Sequence, residues 1–383
     1  MKRALVVLAL VMAACSSSGT SGGESSEVGS SASVAAPTDS TAPATSTIAA
    51  TSTSVSAAAG AVGPAGQEVT FTSADLEMVG TLRVPADDRP VPAAVLIHGS
   101  GPNHRDAPVT GQLNMQFGFT IPVFAEIAMG LHEEGIGVLA YDKRTCGPFN
   151  GCSDNDYPLP ADDITIDAFI ADAQAAVDYL RSRPEIDPGR ITIIGHSQGA
   201  QFVPIMLEAD PGLAGGVMIA GPFRPIDEII RAQVESTVEL LGTLGLSEPE
   251  ALASPGVAGV VEIADGVDAI RQGGEEPVAG TTAGFWRSWF EVHERAQAAA
   301  VAIGQPILVL HGELDWNVEV GEARAWGELL ADAGADHQVV ILPCITHALN
   351  CVTESDPTAM NPDDLGSGVA PDVIDALAAF LSS

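Results

Sequence analysis

From Gln67 onward the chain carries two rhythms of apolar residues. The stretch "EVTFTSADLEMVGTLRVP" alternates apolar and polar positions, which predicts two β-strands joined by a turn near Ser73 to Asp75. Short unbroken apolar runs then alternate with stretches of helical period. "AAVLIHG" at Ala93 to Gly99 precedes a helix near Ile121 to Glu134. "GVLAYDKR" at Gly137 to Arg144 precedes a long helix from about Asp163 to Arg183, and "RITIIGHS" precedes a further helix after Ser197. The same order continues with "AGGVMIAG" at Ala214 to Gly221 and "PILVLHG" at Pro306 to Gly312. A helix near Val318 to Ala333, the run "HQVVILP" at His337 to Pro343 and a last helix from about Pro371 to Leu381 complete it.

Strands that are apolar throughout, and separated by helices, predict an α/β fold: a mostly parallel sheet of about eight strands, covered on both faces. The rhythm breaks between Pro222 and Gly304, where "PIDEIIRAQVESTVELLGTL" and "FWRSWFEVHERAQAAAV" have helical period without strands. We read residues 222–303 as a helical lid inserted into a core made of residues 67–221 and 304–383. Phe285, Trp286 and Trp289 in that insertion read as packing residues ahead of acyl-binding surface.

The first 66 residues follow a different rule. "MKRALVVLALVMAAC" has Lys2 and Arg3, an apolar run too short to span a bilayer, and small residues before Cys15, the layout of a secretory signal over residues 1–14. The "MAAC" end resembles the lipobox of bacterial lipoproteins, although Met12 stands where leucine is usual, and that resemblance implies a lipidated Cys15. Residues 15–66 are almost entirely Ser, Thr, Ala, Gly and Pro, with little apolar surface to offset the entropy of ordering. They read as a tether, which makes the membrane a partner through the lipid anchor only.

Removal of residues 1–14 leaves 14 basic residues against 50 acidic, a formal charge of −36, which argues against nucleic acid as a partner. The cysteine count is odd, and lipidation of Cys15 accounts for the odd one. Four cysteines in an exported chain, Cys146, Cys152, Cys344 and Cys351, predict two disulfides. Three connectivities exist; the short loops favour Cys146 with Cys152 and Cys344 with Cys351. The alternative is a zinc site on Cys344, His347 and Cys351, which lacks the tight C-x-x-C pairs usual for thiolate zinc.

"IIGHSQGA" fits G-x-S-x-G with β-branched residues before it and a helical stretch after it. In such a strand-to-helix bend the flanking Gly195 and Gly199 let backbone approach closely and leave Ser197 exposed. A serine hydroxyl needs a base to take its proton and an acid to orient the base. These are expected downstream at strand ends, acid before histidine. "VLHGELDWNV" supplies Glu313 and Asp315, of which Asp315 is preferred because Glu313 sits too close to the strand end. "VVILPCITHALN" supplies His347. Backbone N–H donors for an oxyanion are expected from Gln198, after the nucleophile, and from Ser100, between Gly99 and Gly101. A Cys344–Cys351 bridge would staple the loop that carries His347, by roughly 2.5 kcal/mol in the chain-entropy model. Lys143 and Arg144 read as ion-pairing residues at a strand end, with Asp106 or Asp142 as partners.

"LIHGSGPNHRD", "GVLAYDKR", "IIGHSQG" and "VLHGELDWNV", in that order over about 310 residues, resemble α/β-hydrolases. More narrowly, they resemble serine carboxylesterases related to dipeptidyl-aminopeptidase and acylaminoacyl-peptidase hydrolases. The resemblance implies the α/β-hydrolase fold with a Ser197–Asp315–His347 triad and no metal or organic cofactor. It departs from this chain at Gln198-Gly199-Ala200, where relatives have Glu-Gly-Gly, at "KRTCG", and at Thr346 before the histidine. It implies hydrolysis of a small-molecule carboxylic ester through an acyl-enzyme. The alternatives are an aminopeptidase or acylaminoacyl-peptidase activity, and a tethered binding module without catalysis. Neither the physiological ester nor the oligomeric state is encoded in these motifs.

Overall fold

The computed structural model describes residues 66–109, 121–147, 152, 163–243, 245–354, 364 and 366–383. The signal and nearly all of the tether, including Cys15, lie outside the described residues.

The strands are β1 (Gln67–Ser73), β2 (Leu76–Arg83), β3 (Val91–Ile97), β4 (Pro108–Val109), β5 (Ile121–Pro122), β6 (Gly137–Tyr141), β7 (Ile186–His196), β8 (Gly215–Ile219), β9 (Ile307–Gly312) and β10 (His337–Leu342). The helices are α1 (Val123–Glu133), α2 (Ile166–Arg181), α3 (Phe202–Ala209), α4 (Ile226–Thr243), α5 (Glu248–Leu252), α6 (Pro255–Arg271), α7 (Ala283–Phe290), α8 (Val292–Ala300), α9 (Val320–Ala333) and α10 (Pro371–Leu381). Eight strands form one sheet in the order β1-β2-β6-β3-β7-β8-β9-β10; β4 and β5 pair separately. Within the eight-stranded sheet the β1–β2 and β2–β6 pairings are antiparallel and the rest parallel, so the chain enters by a hairpin and then winds on both sides of a parallel sheet. This is the α/β-hydrolase fold, with the expected strand count and antiparallel opening.

The pleat sorts each strand into two cores. Val95, Ile97, Ile193, Met218 and Val309 point to one face, where Phe169 and Val177 of α2, Phe202 of α3 and Trp326 of α9 cover them. Their neighbours Leu96, Ile194, Val217 and Leu308 point to the other face, against Phe124 and Leu131 of α1 and Leu377 of α10. Two buried faces explain why these strands read as continuous apolar runs. Helix α2 begins where Thr165 Oγ1 accepts from Ala168 N at 3.1 Å, satisfying one of the free donors of its first turn.

Helices α4 to α8 occupy the break between β8 and β9 and share the core of the first face. Phe285, Trp286 and Trp289 are buried, and the two indoles stack with centroids 5.6 Å apart. They are packing residues, as expected. At the base of the insertion, Glu322 of α9 accepts from the backbone N–H groups of Phe223 and Arg224 at 2.7 and 2.9 Å. Trp326 Nε1 donates to Pro222 O at 3.3 Å.

Both disulfides join the sequence-local pairs, Cys146 with Cys152 and Cys344 with Cys351. The sulfurs of the second pair are bonded to each other, so they are not thiolate ligands and the zinc alternative falls. Among the described residues no helix is long and apolar enough to cross a membrane.

Gly312 ends β9 with a would-be Cβ 2.1 Å from Ile345 O, a backbone atom that cannot step aside. Gly312→Ala is therefore expected to cost about 2–3 kcal/mol in a urea melt. Gly259, inside α6, has nothing within 4 Å of its would-be Cβ. Gly259→Ala is expected to stabilise by about 0.5–1 kcal/mol. Equal midpoints for the two variants would contradict the packing described.

His98, at the end of β3, is buried with Nε2 donating to Tyr141 O at 2.6 Å and its ring stacked on Phe124. Burial foremost lowers its pKa from 6.5 to about 3. As pH falls from 6.5 toward 3 the unfolded chain binds a proton that the folded chain refuses. Stability is therefore full above 6.5 and is lost through that window. The slope is up to about 1.4 kcal/mol per pH unit for one such group. Urea midpoints followed from about pH 7.5 to about pH 5 should flatten by that amount in His98→Gln. An unchanged slope would show that the imidazole does not stay neutral.

Candidate active site

The carboxyl ends of β3, β7 and β9 and the loop after β10 meet at one edge of the sheet. At the end of β7 the backbone turns through Ser197 at φ 54°, a left-handed conformation unusual outside glycine, into the 3-10 turn Ser197–Gln201 that leads into α3. The bend is so tight that a Cβ on Gly195 would lie 2.2 Å from Gly199 O, and one on Gly199 would lie 2.4 Å from Ile97 O. Glycine at both positions thus seats the turn directly on the end of β3. Gly99 continues the contact, its would-be Cβ 3.1 Å from Ser197 Cβ.

Asp315 follows β9 with its side chain fully buried. Its Oδ1 accepts from Asn317 N and Val318 N at 2.9 Å each, leaving Oδ2 to accept from His347 Nδ1 at 2.8 Å. That bond assigns the Nδ1–H tautomer and leaves Nε2 as the basic nitrogen. Burial by itself would raise the Asp315 pKa, but the adjacent His347, which donates to it, and the Val318 N–H outweigh it and hold the carboxyl below the usual range. Asp315 therefore stays anionic beside the imidazole. Glu313 is exposed and turned out of this arrangement.

His347 sits at the tip of a short hairpin closed by the Cys344–Cys351 disulfide. Ile345 pairs with Cys351, Thr346 N donates to Asn350 O at 3.0 Å, and Val352 N donates to Cys344 O at 2.8 Å. Cys344 and Leu349 adopt φ 60° and 64°, which turns the strand end sharply at both sides of the histidine. Thr346, which departs from the resembled family, bonds through Oγ1 to the Asn350 side chain and to Ala348 N, so its hydroxyl organises the loop.

The Asp315–His347 contact is made, whereas Ser197 forms no hydrogen bond to His347 among the described residues. The two are joined through His196. Its Nε2 donates to His347 O at 2.9 Å and its ring lies 4.7 Å from the His347 ring. Burial foremost drops the His196 pKa to about 3, so it holds the loop as a neutral ring. His98 and His311 likewise bond backbone carbonyls, Tyr141 O and Val318 O.

Gln198 is buried, and Ser100 lies in the loop after β3, beside Gly99. Asn103 Nδ2 ties this loop internally, donating to Gly99 O at 3.1 Å and to Ser100 O at 2.9 Å. The basic pair after β6 differs from expectation. Arg144 pairs with Asp172 of α2, Nε and Nη2 donating at 2.7 and 2.6 Å. Asp142 instead receives Arg105 N at 2.8 Å, with Arg105 Nε 3.3 Å away. Lys143 makes no carboxylate hydrogen bond among the described residues. Its Nζ donates to Gly99 O at 2.7 Å and to Gln198 Oε1 at 2.8 Å. Three successive residues leaving a strand end point in different directions, so each meets a different partner.

Residues 117–354 match the family model described as serine aminopeptidase, S33. Esterase EstD of Thermotoga maritima is 30% identical over 251 residues, 64% of this chain and 52% of that protein, so the chain spans about half the length of this relative. Est1E from Butyrivibrio proteoclasticus is similar in structure, at 14% identity over 82% of this chain and 97% of that chain, with a TM-score of 0.47. The acylaminoacyl peptidase of Pyrococcus horikoshii is similar at 15% identity, over 83% of this chain and 41% of that chain, with a TM-score of 0.48. A strand-turn-helix serine in the left-handed region, an aspartate–histidine pair on the next strand ends and a family match across more than half the chain agree: this chain belongs to the serine aminopeptidase S33 family of α/β-hydrolases.

Proposed function

We propose that the chain hydrolyses carboxylic esters through a covalent acyl-enzyme on Ser197. The observation that carries this reading is the buried Asp315–His347 hydrogen bond, set at the same sheet edge as a serine held at φ 54°. Asp315 keeps Nδ1 of His347 protonated, which leaves Nε2 free to take the Ser197 proton as Oγ attacks the ester carbonyl. The backbone N–H groups of Gln198 and Ser100 receive the negative oxygen of the tetrahedral intermediate. Collapse breaks the bond to the alkoxide, which leaves with the proton from His347. Water then repeats the sequence on the acyl-serine and regenerates the hydroxyl. Similarity to a named esterase over 64% of the chain supports the ester reading.

The family description favours a second reading, removal of amino acids from peptides, because the same groups cleave amides. One experiment separates the readings: hydrolysis of p-nitrophenyl esters from acetate to palmitate alongside aminoacyl p-nitroanilides, with Ser197→Ala and His347→Ala as controls. Ester turnover is expected to exceed anilide turnover and to fall by about 10⁴-fold or more in both variants. Preference for anilides would replace the ester reading. An inert chain whose Ser197 escapes a fluorophosphonate probe would indicate a tethered binding module.

The enzyme acts outside the cytoplasm on a lipid anchor. Two disulfides suit an oxidising compartment, and the N-terminal pattern supplies the export signal and Cys15. Intact mass of membrane-extracted protein is expected to show acyl chains on Cys15; a free Ala or Ser N-terminus would refute the anchor.

A further inference from the structure

After residue 2, Lys143 is the only lysine in the chain, and it is buried. An ammonium without a hydrogen-bonded carboxylate is costly to bury, so its position calls for a purpose beyond packing. The carboxylate on that side, Asp172, is engaged by Nε and Nη2 of Arg144. Lys143 Nζ instead spends its donors on Gly99 O and Gln198 Oε1, and it sits 4.4 Å from the centre of the Phe169 ring. Burial foremost, against the pull of Asp172, brings its pKa down to about 7.

Both acceptors belong to residues that bear on the oxyanion donors. Gly99 C=O and Ser100 N–H are the two ends of one planar trans peptide, so fixing the oxygen fixes the direction in which the N–H points. When protonated, Lys143 also polarises that amide and strengthens its N–H as a donor. The second contact grips the side chain of Gln198, whose own N–H is the other proposed donor. Asn103 Nδ2, on Gly99 O and Ser100 O, completes the clamp from within the loop. Gln198 Nε2 is buried with no hydrogen-bond partner, so Lys143 provides the one side-chain hydrogen bond that Gln198 makes among the described residues.

We infer that Lys143 is a positioning residue for acyl transfer: its Nζ ties the Gly99–Ser100 peptide to Gln198 and so aims both backbone N–H groups at one oxyanion. This rests on the reading of Ser197, Gln198 and Ser100 given above. Lys143 acts through the two peptides, not on substrate. A purely structural lysine would alter melting and the fraction of active molecules, but it would not selectively weaken binding of the charged intermediate.

The test compares wild type with Lys143→Met, Lys143→Arg and Gln198→Met on the ester turned over fastest, together with inhibition by an alkyl trifluoromethyl ketone, whose serine adduct carries an oxyanion. In folded Lys143→Met, kcat is expected to fall about 10- to 100-fold with KM within about threefold, and the inhibitor constant to rise in parallel. Lys143→Arg should recover part of both. Gln198→Met keeps its backbone N–H and should lose less. If folded Lys143→Met keeps kcat and inhibitor affinity within about twofold, or changes KM alone, the inference is overturned. Should Lys143→Met fail to fold, wild-type kcat and inhibitor affinity in Gln198→Met overturn it equally. A wild type inert on every ester and anilide overturns the acyl-transfer reading itself, an outcome distinct from an active wild type with an indifferent Lys143.

Discussion

The active edge of this sheet is held together by backbone touching backbone at positions where only hydrogen fits in place of a side chain. Gly195 meets Gly199, Gly199 meets the carbonyls of Ile97 and His98, and Gly312 meets Ile345 O, all with would-be Cβ distances under 3 Å. These contacts lock the serine turn onto the end of β3 and the histidine loop onto the end of β9. Loops from opposite parts of the chain thereby keep a fixed mutual geometry without relying on flexible side chains. The left-handed Ser197 is the local cost of that arrangement, held in place by the strands around it.

Over this backbone frame lies a set of buried polar groups, each with a defined partner. Asp315 receives two backbone N–H groups and one imidazole; Arg144 and Asp172 form a two-point pair; His196 grips the backbone of His347. In a region shielded from water such bonds are strong and their absence expensive, so the groups hold one another in single orientations. The neutral rings of His98 and His196 follow from this, because burial resists charging them and each carries a single N–H to a carbonyl. Charge among these groups is thus confined to side chains with fixed neighbours.

Much of this architecture is legible in the amino-acid sequence. The apolar runs located the parallel strands because both faces are buried, and the antiparallel opening showed as alternation in "EVTFTS" and "LEMVGTL". The strand-to-helix turn at Ser197 and the pairing of Asp315 with His347 are legible because strand ends restrict position and an imidazole needs an acceptor to orient it. Asp315 over Glu313 followed from distance to the strand end, and the structure shows its cause: Glu313 N is spent on Leu342 O while its side chain faces solvent. The partners of Lys143, Arg144 and His196 were not legible. They depend on which way three consecutive side chains turn once a strand has ended and on contacts more than a hundred residues apart, as between His196 and His347. No local pattern encodes either.

The helical insertion meets the site through the turn that begins at Ser197. It could have been a separate cap resting on the core, but its anchoring points run into the elbow. Trp289 Nε1 of α7 donates to Gln201 Oε1 at 3.0 Å, and Gln201 Nε2 donates in turn to Pro222 O at 3.3 Å, where the insertion departs. Gln297 of α8 bonds Phe223 O at 2.9 Å, and Ser288 Oγ accepts from Ile166 N at 3.1 Å at the start of α2. The segment is thus tied at once to the turn that begins at Ser197, to its own departure point and to the start of α2. Its anchors therefore hold α7 and α8 in a fixed relation to the turn that begins at Ser197.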